Sequence, residues 1–133
     1  MSYLLDTHVW IWSMESPAEV GPVARALLEN PENPLFVSSI STLELARLQA
    51  TGVIEPGGPL LAWIADAVEI LGASTIEVSH EIAVEAYQLP GSFHSDPADR
   101  VLVATARIHE LEMLTADRRI LDYPHVKSLD VRR

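Results

Sequence analysis

The chain of 133 residues contains no cysteine, so disulfide bonds and thiolate zinc sites are excluded. This absence fits a reducing compartment, and we expect a cytoplasmic protein. No segment approaches the roughly eighteen uncharged apolar residues of a membrane span. No basic leader precedes the first apolar stretch, which an aspartate soon interrupts. We therefore expect neither a membrane anchor nor a secretory signal.

Positive charge is scarce and unevenly distributed. The chain carries 9 Lys and Arg against 19 Asp and Glu, a net charge of −10, which argues against non-specific nucleic-acid binding by the molecule as a whole. Residues 1–99 hold 14 acids and 2 bases, a net of −12, whereas residues 100–133 hold 5 acids and 7 bases, a net of +2. The asymmetry is typical of solvated surface, or alternatively of a small basic rim beside an acidic pocket.

Apolar runs and helical periodicity alternate along the chain. No repeat or long linker divides it, so we predict one domain over residues 1–133. Short apolar or alternating runs predict strands at "YLLD", "LFVSS", "STIEVS", "EMLT" and, at a sheet edge, "VKSLDV". Apolar residues three or four apart predict helices over 23–29, 41–50, 59–71, 80–89 and 97–111. This order predicts a parallel sheet covered by helices on both faces, with ligands beyond the carboxyl ends of the strands.

Four carboxylates fall at that edge of the predicted sheet. Asp6 and Asp117 follow predicted strands, while Glu44 and Asp99 lie in the first turns of predicted helices. Like charges about 5 Å apart at an effective dielectric near 20 repel by roughly 3 kcal/mol per pair. A bound divalent cation would offset this repulsion, and oxygen ligands favour Mg²⁺ or Mn²⁺. The cluster therefore predicts phosphate chemistry, with a metal-activated water as the nucleophile.

Each of these acids also has a purely structural interpretation. Ser41 and Glu44 have the spacing of a capping box. Asp96, followed by proline, has the pattern of a helix N-cap, with Asp99 at the third helical position. Asp117 could cap a short helix after the fourth strand. Any one of them alone is unremarkable.

Three segments of the chain resemble the PIN-domain ribonucleases, and in particular the VapC-type toxins of toxin–antitoxin pairs. These are "LLDTHVWIW", "VSSISTLELARL" and "DPADRVLVATARIHELEMLTADRRIL". The resemblance covers nearly the whole chain and implies an α/β fold, a PIN-like three-layer sandwich whose central, mainly parallel sheet is flanked by helices. It also implies a Mg²⁺-dependent endoribonuclease that hydrolyses single-stranded or loop RNA, a cognate antitoxin, and a homodimer.

The resemblance assigns roles to the four acids residue by residue. Asp6 and Asp99 would be the principal Mg²⁺ ligands, with Mn²⁺ as a substitute, and Asp117 would complete the metal site directly or through water. Glu44 would position or activate the attacking water. All four would thus be catalytic. The hydroxyls of two threonines, Thr7 and Thr115, would support the acids.

The chain departs from the commonest family pattern around Glu44. Many relatives carry an aromatic residue before this glutamate and a lysine four residues after it. Here Leu43 and Leu48 occupy those positions, with Arg47 beside the latter. The departure concerns contacts with substrate or antitoxin near this helix and leaves the acids unaffected.

Other polar and aromatic residues near the acids have two interpretations each. A cap is the expected role for Asp96, with membership of the cluster as the alternative, and His94 is expected to be structural. Three arginines flank the site acids and would contact RNA phosphates or form surface salt bridges: Arg100, Arg118 and Arg119. Three tryptophans are expected in the core or at a dimer interface: Trp10, Trp12 and Trp63.

Three other classes of function compete with the nuclease hypothesis. A receiver-type phospho-acceptor domain would want adjacent acids after the first strand and a lysine near the last, but Asp6 stands alone and the single lysine is Lys127. A phosphatase using Asp6 as nucleophile would want an acid two residues later, where this chain has His8. A PIN-like fold that has lost activity and only binds a partner is the third alternative.

Overall fold

A computed structural model describes residues 1–133. The five strands are Tyr3–Leu5 (β1), Leu35–Ser38 (β2), Ala73–Ile76 (β3), Glu112–Thr115 (β4) and Ser128–Asp130 (β5). The seven helices are Thr7–Glu15 (α1), Pro22–Glu29 (α2), Ser39–Ala50 (α3), Leu60–Leu71 (α4), His80–Glu85 (α5), Pro97–His109 (α6) and Arg118–Leu121 (α7). A 3₁₀ helix spans Pro17–Glu19.

All five strands form one parallel sheet in the order β3-β2-β1-β4-β5. Strand β1 is central and pairs with β2 on one side and β4 on the other. From β1 the chain moves outward through β2 to β3, then crosses to the far side of β1 to form β4 and β5. The direction of winding therefore reverses between β1 and β4, and such a switch point opens a crevice beyond the carboxyl ends of the two strands.

Apolar side chains on the two faces of the sheet contact different helices. Leu4 and Met113 belong to a core cluster that includes residues of α5, α6 and α7. Their strand neighbours Tyr3, Leu5 and Leu114 belong to a second cluster with residues of α1, α2 and α4. This two-residue alternation is what a pleated strand buried on both faces requires. The predicted three-layer α/β architecture is confirmed.

The strands and most helices lie close to their predicted positions, and β5 is an edge strand as predicted. Two helical predictions differ from the structure. The segment after β1, for which no helix was predicted, forms the nine-residue helix α1, with Asp6 as its N-cap. The helix predicted over 80–89 ends at Glu85, and Pro90 disfavours helical geometry at the residue before it. The prediction of one domain over residues 1–133 stays a prediction.

None of the helices in the structure has the length and apolar character that crossing a membrane demands.

Candidate active site

The predicted acids meet at the switch point between β1 and β4. Asp6 is the residue directly after β1, and Asp117 lies two residues after the end of β4. Glu44 comes from the second turn of α3, and Asp99 from the first turn of α6. All four acids line one open cavity of about 360 Å³. The structure therefore brings together the four residues that the sequence placed at this edge.

Asp6 is buried, and both of its carboxylate oxygens accept hydrogen bonds. The Thr7 backbone N–H donates to Oδ1 at 2.7 Å, and the Thr115 hydroxyl donates to Oδ2 at 2.7 Å. Thr115 is fully buried at the end of β4, so its hydroxyl joins two neighbouring strands. These bonds compensate part of the cost of burying Asp6, but they supply no positive charge.

Asp117 is held by the same threonine and by one arginine. Its backbone N–H donates to the Thr115 hydroxyl at 3.0 Å. As the N-cap of α7, its carboxylate accepts from the Arg119 backbone N–H at 2.9 Å, as the capping interpretation predicted. The Arg119 guanidinium also donates to both carboxylate oxygens, at 3.2 and 3.0 Å. A second contact of 3.6 Å joins Arg119 to Asp99 Oδ2.

Glu44 is held by hydroxyls, and the capping-box interpretation is wrong. Helix α3 begins earlier than predicted, with Ser38 as the N-cap that accepts from the Ile40 backbone N–H. Ser41 therefore lies inside the helix, where its hydroxyl is 2.8 Å from that of Thr7. The Thr7 hydroxyl donates to Glu44 Oε1. Since a hydroxyl has one hydrogen, Ser41 must be the donor to Thr7, which gives a relay directed at Glu44.

Asp99 lies among the other charged groups of the cavity. Its backbone N–H donates to Asp96 Oδ1 at 3.0 Å, so Asp96 is the N-cap of α6 as expected. Asp96 also lines the cavity, so its position agrees with both predictions, namely the N-cap of α6 and a place beside the cluster of acids. His94 Nε2 lies 3.1 Å from Asp99 Oδ2. The sequence favoured a structural role for this histidine, whereas the structure places it in the cluster of acids.

The electrostatic cost of the cluster appears in three raised pKa values. Burial, followed by the negative charges of Asp6, Asp96 and Asp117, raises the pKa of Asp99 to about 7. Burial also raises the pKa of Asp6, against the hydrogen bonds from Thr115 and Thr7. The pKa of Glu44 is raised by burial as well. Three carboxylates with raised pKa values in one cavity are typical of functional sites.

Arg119 shifts two pKa values in the opposite direction. Partial burial pushes the pKa of Asp117 upward, but the hydrogen bonds and charge of Arg119 outweigh it and lower that pKa. The pKa of His94 is lowered by burial and then by the charge of Arg119. At neutral pH, Asp117 is therefore ionised and His94 is neutral.

Three arginines line the cavity: Arg47, Arg119 and Arg132. Two of them belong to the basic C-terminal segment, so the charge asymmetry of the sequence does place a basic rim beside an acidic pocket. The Arg132 guanidinium lies 5.2 Å from the ring centre of Trp12, which also lines the cavity. Of the departures from the family pattern, Leu43 is exposed and Leu48 is buried, and Arg47 provides the positive charge on this side.

The remaining arginines lie away from the cavity. Arg118 forms an exposed salt bridge with Asp122 at 3.0 Å, as the structural interpretation predicted. Arg100 neither lines the cavity nor forms a surface salt bridge, so neither of its two predicted roles is observed. Its guanidinium donates to the backbone oxygens of Phe93 and His94, at 2.9 and 3.0 Å, and to that of Ala86 at 2.8 Å. Arg100 therefore fixes the loop that carries His94.

Tryptophan and lysine positions also bear on the alternatives. Trp10 is fully buried, and the half-buried Trp63 packs against it with ring centres 5.7 Å apart, so both belong to the core.

Lys127 directly precedes β5 and lies at the amino edge of the sheet, opposite the acids. A lysine at that edge cannot serve the receiver-type site proposed as an alternative.

The residues present fit a divalent cation. His94, Asp99 and Asp117 can each place one ligand atom so that the three atoms lie within 4.8 Å of one another. An octahedral ion with bonds near 2.1 Å has its opposite ligands about 4.2 Å apart, so this spacing is compatible with one ion. His94 Nε2 is buried and makes no hydrogen bond. Carboxylate oxygens with one such unpartnered nitrogen are a suitable donor set.

The sequence did not reveal four of the residues that form the cavity or hold its acids. Ser41 was assigned to a cap, and His8, Trp12 and Arg132 were not placed at the acids. The one available signal was position: His8 and Trp12 lie two and six residues after Asp6, on a segment that the sequence did not identify as a helix.

Comparisons with known proteins agree with this architecture. The PIN domain family model matches residues 3–126. The chain is 34% identical over 128 residues to Ribonuclease VapC22 from Mycobacterium tuberculosis, covering 96% of each chain. It superposes on DNA-bound VapBC from Salmonella typhimurium with a TM-score of 0.70 at 18% identity, over 98% of both chains. VapBC2 from Rickettsia felis, bound to a promoter DNA fragment, gives 0.67 at 16% identity, over 97% of this chain and 98% of that one.

Proposed function

The chain belongs to the PIN-domain family, and from this premise we propose that it is a divalent-metal-dependent endoribonuclease that hydrolyses RNA phosphodiester bonds. The observation that carries the proposal is the set of four acids around one cavity, in which burial and neighbouring carboxylates raise the pKa of Asp99 to about 7. The name of the mycobacterial relative, a ribonuclease, supports the same activity.

Asp6, Asp99 and Asp117 would hold the ion, which we propose to be Mg²⁺ or Mn²⁺. When bound, a divalent ion polarises the phosphoryl oxygen, lowers the pKa of water and stabilises the leaving oxygen. The chain contributes by fixing the acids before substrate arrives. The Thr115 hydroxyl bonds both Asp6 and the backbone N–H of Asp117, so one buried side chain sets the distance between two of them. Such preorganisation avoids reorganisation during the reaction.

Glu44 is the proposed base that positions the attacking water and accepts its proton. The relay from Ser41 through Thr7 ends at Glu44 Oε1, and Glu44 lines the cavity together with the other acids. Burial raises the pKa of Glu44, and a pKa moved toward the working pH makes a carboxylate a better proton acceptor. The proton from water would therefore reside on Glu44 during the reaction.

Arginines at the rim would bind the RNA backbone on either side of the cleaved bond. Arg47, Arg119 and Arg132 line the same cavity as the acids, so phosphates that flank the reacting one would find positive charge within it. Phosphate contacts of this kind orient RNA without reading its sequence. A substrate with an accessible backbone, such as single-stranded or loop RNA, would reach this open cavity.

We further propose that the chain is the toxin component of a toxin–antitoxin pair. It would form a homodimer, act in the cytoplasm as one domain over residues 1–133, and be inhibited by a cognate antitoxin. The support is the fold, since the similar solved structures include VapBC and a toxin–antitoxin complex from Klebsiella pneumoniae. Co-expression with the product of the adjacent gene, followed by size-exclusion chromatography, would detect such a partner.

The test of the proposed activity uses total RNA and one substitution. Purified protein is incubated with RNA in the presence of Mg²⁺, Mn²⁺ or EDTA, and new 5′ ends are mapped by sequencing. We expect discrete cuts that require metal and that decrease by about 100-fold or more in Asp99→Asn, because loss of a metal ligand costs at least as much as loss of its supporting groups. The matched control is Asp66→Asn, on the exposed face of α4, which should cut as the wild type does.

Cleavage that persists in Asp99→Asn would contradict the proposed site. Absence of cleavage by the wild-type protein, with metal binding retained in calorimetry, would favour the alternative of a PIN-like fold that only binds a partner.

A further inference from the structure

We propose that His94 is a nitrogen ligand of the divalent ion, together with Asp99 and Asp117, and that it makes this site prefer Mn²⁺ to Mg²⁺. The inference rests on the metal dependence proposed above and adds to it the identity of one ligand and the choice of ion. It concerns a histidine that the sequence alone assigned to a structural role.

The contact between His94 and Asp99 has the geometry of two ligands on one ion. His94 Nε2 lies 3.1 Å from Asp99 Oδ2, and adjacent ligands of an octahedral ion with bonds near 2.1 Å are about 3.0 Å apart. In spite of this distance, Nε2 makes no hydrogen bond. A metal-binding nitrogen directs its lone pair at the ion and not at the neighbouring ligand, so a short contact without hydrogen-bond geometry is what shared coordination requires.

His94 is also held rigidly in place. The Arg100 guanidinium donates to its backbone oxygen at 3.0 Å and to that of Phe93 at 2.9 Å. The His94 ring packs against the Phe93 ring, with centres 4.4 Å apart, and Phe93 packs in turn against Tyr123. The side chain is 18% exposed. A loop side chain fixed from both its backbone and its ring is preorganised for a ligand.

The other ring nitrogen accepts a weak hydrogen bond from the backbone. The Asp96 N–H donates to His94 Nδ1 at 3.4 Å, which is longer than the 2.7–3.2 Å of ordinary N–H donors. In the metal-free protein this bond favours the tautomer with the proton on Nε2. Coordination through Nε2 would therefore move the proton to Nδ1 and break this long, weak bond.

A nitrogen ligand changes which ion the site selects. Carboxylates and water suit both Mg²⁺ and Mn²⁺, whereas imidazole suits Fe, Ni, Cu and Zn best. Of the two ions, Mn²⁺ is a first-row transition metal and accepts imidazole more readily than the hard ion Mg²⁺ does. Replacing one oxygen of the coordination shell by imidazole nitrogen therefore favours Mn²⁺ selectively. Arg119 donates to both carboxylate oxygens of Asp117 at 3.2 and 3.0 Å and lies 3.6 Å from Asp99 Oδ2. Binding of the ion would therefore displace the Arg119 side chain, which is 59% exposed, from Asp117.

The test measures Mn²⁺ binding directly on the purified full chain. Pulsed electron paramagnetic resonance detects ¹⁴N coupling when imidazole binds Mn²⁺, and calorimetry gives the affinities for MnCl₂ and MgCl₂. The matched control is His8→Asn, because His8 is the histidine that lines the cavity of the acids. We expect ¹⁴N coupling in the wild type and in His8→Asn, and none in His94→Asn. We also expect His94→Asn to lower Mn²⁺ affinity about tenfold and Mg²⁺ affinity less than about threefold.

The outcomes separate this inference from the proposed function. Mn²⁺ binding that requires Asp99 but shows no ¹⁴N coupling in the wild type would overturn the role of His94 and leave the nuclease proposal standing. Coupling that disappears in His8→Asn and persists in His94→Asn would overturn it as well. Failure of the wild type to bind either ion would contradict both proposals. The wild-type spectrum decides the first outcome even if a variant does not fold.

Discussion

Removing one carboxylate from the cluster should stabilise the metal-free protein, and the gain should depend on pH. Burial and four neighbouring carboxylates raise the pKa of Asp99 to about 7 from a reference value of 3.8. Between these values the folded state keeps the proton that the unfolded chain has lost. Stability therefore falls as pH rises from about 4 to about 7, and this loss persists at higher pH. Asparagine has no proton to lose, so Asp99→Asn should abolish this decline.

The magnitude follows from the size of the pKa shift. A shift of about 3 units corresponds to about 4 kcal/mol, with little solvent screening because the side chain is 12% exposed. Rearrangement of nearby charges in the folded state and loss of the contacts with His94 and Arg119 reduce the gain. We expect Asp99→Asn to be about 2 kcal/mol more stable than the wild type at pH 8, and to gain less than half of that at pH 5. For a chain of this length, 2 kcal/mol raises Tm by about 8 °C.

The assay is thermal unfolding followed by circular dichroism at pH 5 and pH 8, in buffer with EDTA. Asp66→Asn is the control for a change of net charge alone, since Asp66 is exposed on α4. Addition of Mn²⁺ should raise the Tm of the wild type at pH 8 and have little effect on Asp99→Asn. An equal change in stability at both pH values would refute the claim that burial and neighbouring carboxylates destabilise ionised Asp99. A variant Asp99→Asn that is less stable than the wild type at pH 8 would refute it as well.

Two further predictions concern the framework around the site and are measured by urea unfolding. Thr115→Val removes the hydroxyl that bonds Asp6 and should cost about 1–3 kcal/mol, whereas Thr105→Val, whose hydroxyl bonds only within α6, should cost less; equal costs would contradict the bridging role. Gly21→Ala would place a methyl group on the backbone of the last two residues and should cost about 3 kcal/mol. Its control, Gly58→Ala, has open space around it and should be neutral.

Much of the fold could be predicted from periodicity, because the parallel strands are buried on both faces and separated by amphipathic helices. Segments such as "EMLT" and "LFVS" were identified as strands because short apolar runs bounded by turn signals are typical of buried strands. The first helix was missed because Thr7–Glu15 is apolar on several sides and contains β-branched and aromatic residues, so it lacks the one-sided apolar pattern from which helices were predicted. Its helical state depends on Asp6 as cap and on the burial of Trp10.

The sequence by itself determined which residue types stand at the strand ends and helix starts. Asp6, Asp99 and Asp117 had to share one edge once the sheet was parallel, because the carboxyl ends of parallel strands and the helices that follow them lie together. The number of acids at that edge, and the hard cation they favour, were therefore already contained in the order of the chain. Each acid is placed by its own segment of the sequence, and the parallel topology is the one further fact needed to bring the acids to the same edge.

Only the tertiary structure decided how those acids are supported. The Thr115 bridge to Asp6 joins residues 109 positions apart, and the Thr7 contact with Glu44 joins residues 37 apart. No local pattern encodes such pairs, because each member has an ordinary role in its own segment. The position of His94 likewise depends on a loop held by Arg100 through backbone carbonyls, which carry no sequence signal. Side-chain contacts between distant segments exist only after the sheet brings their ends together.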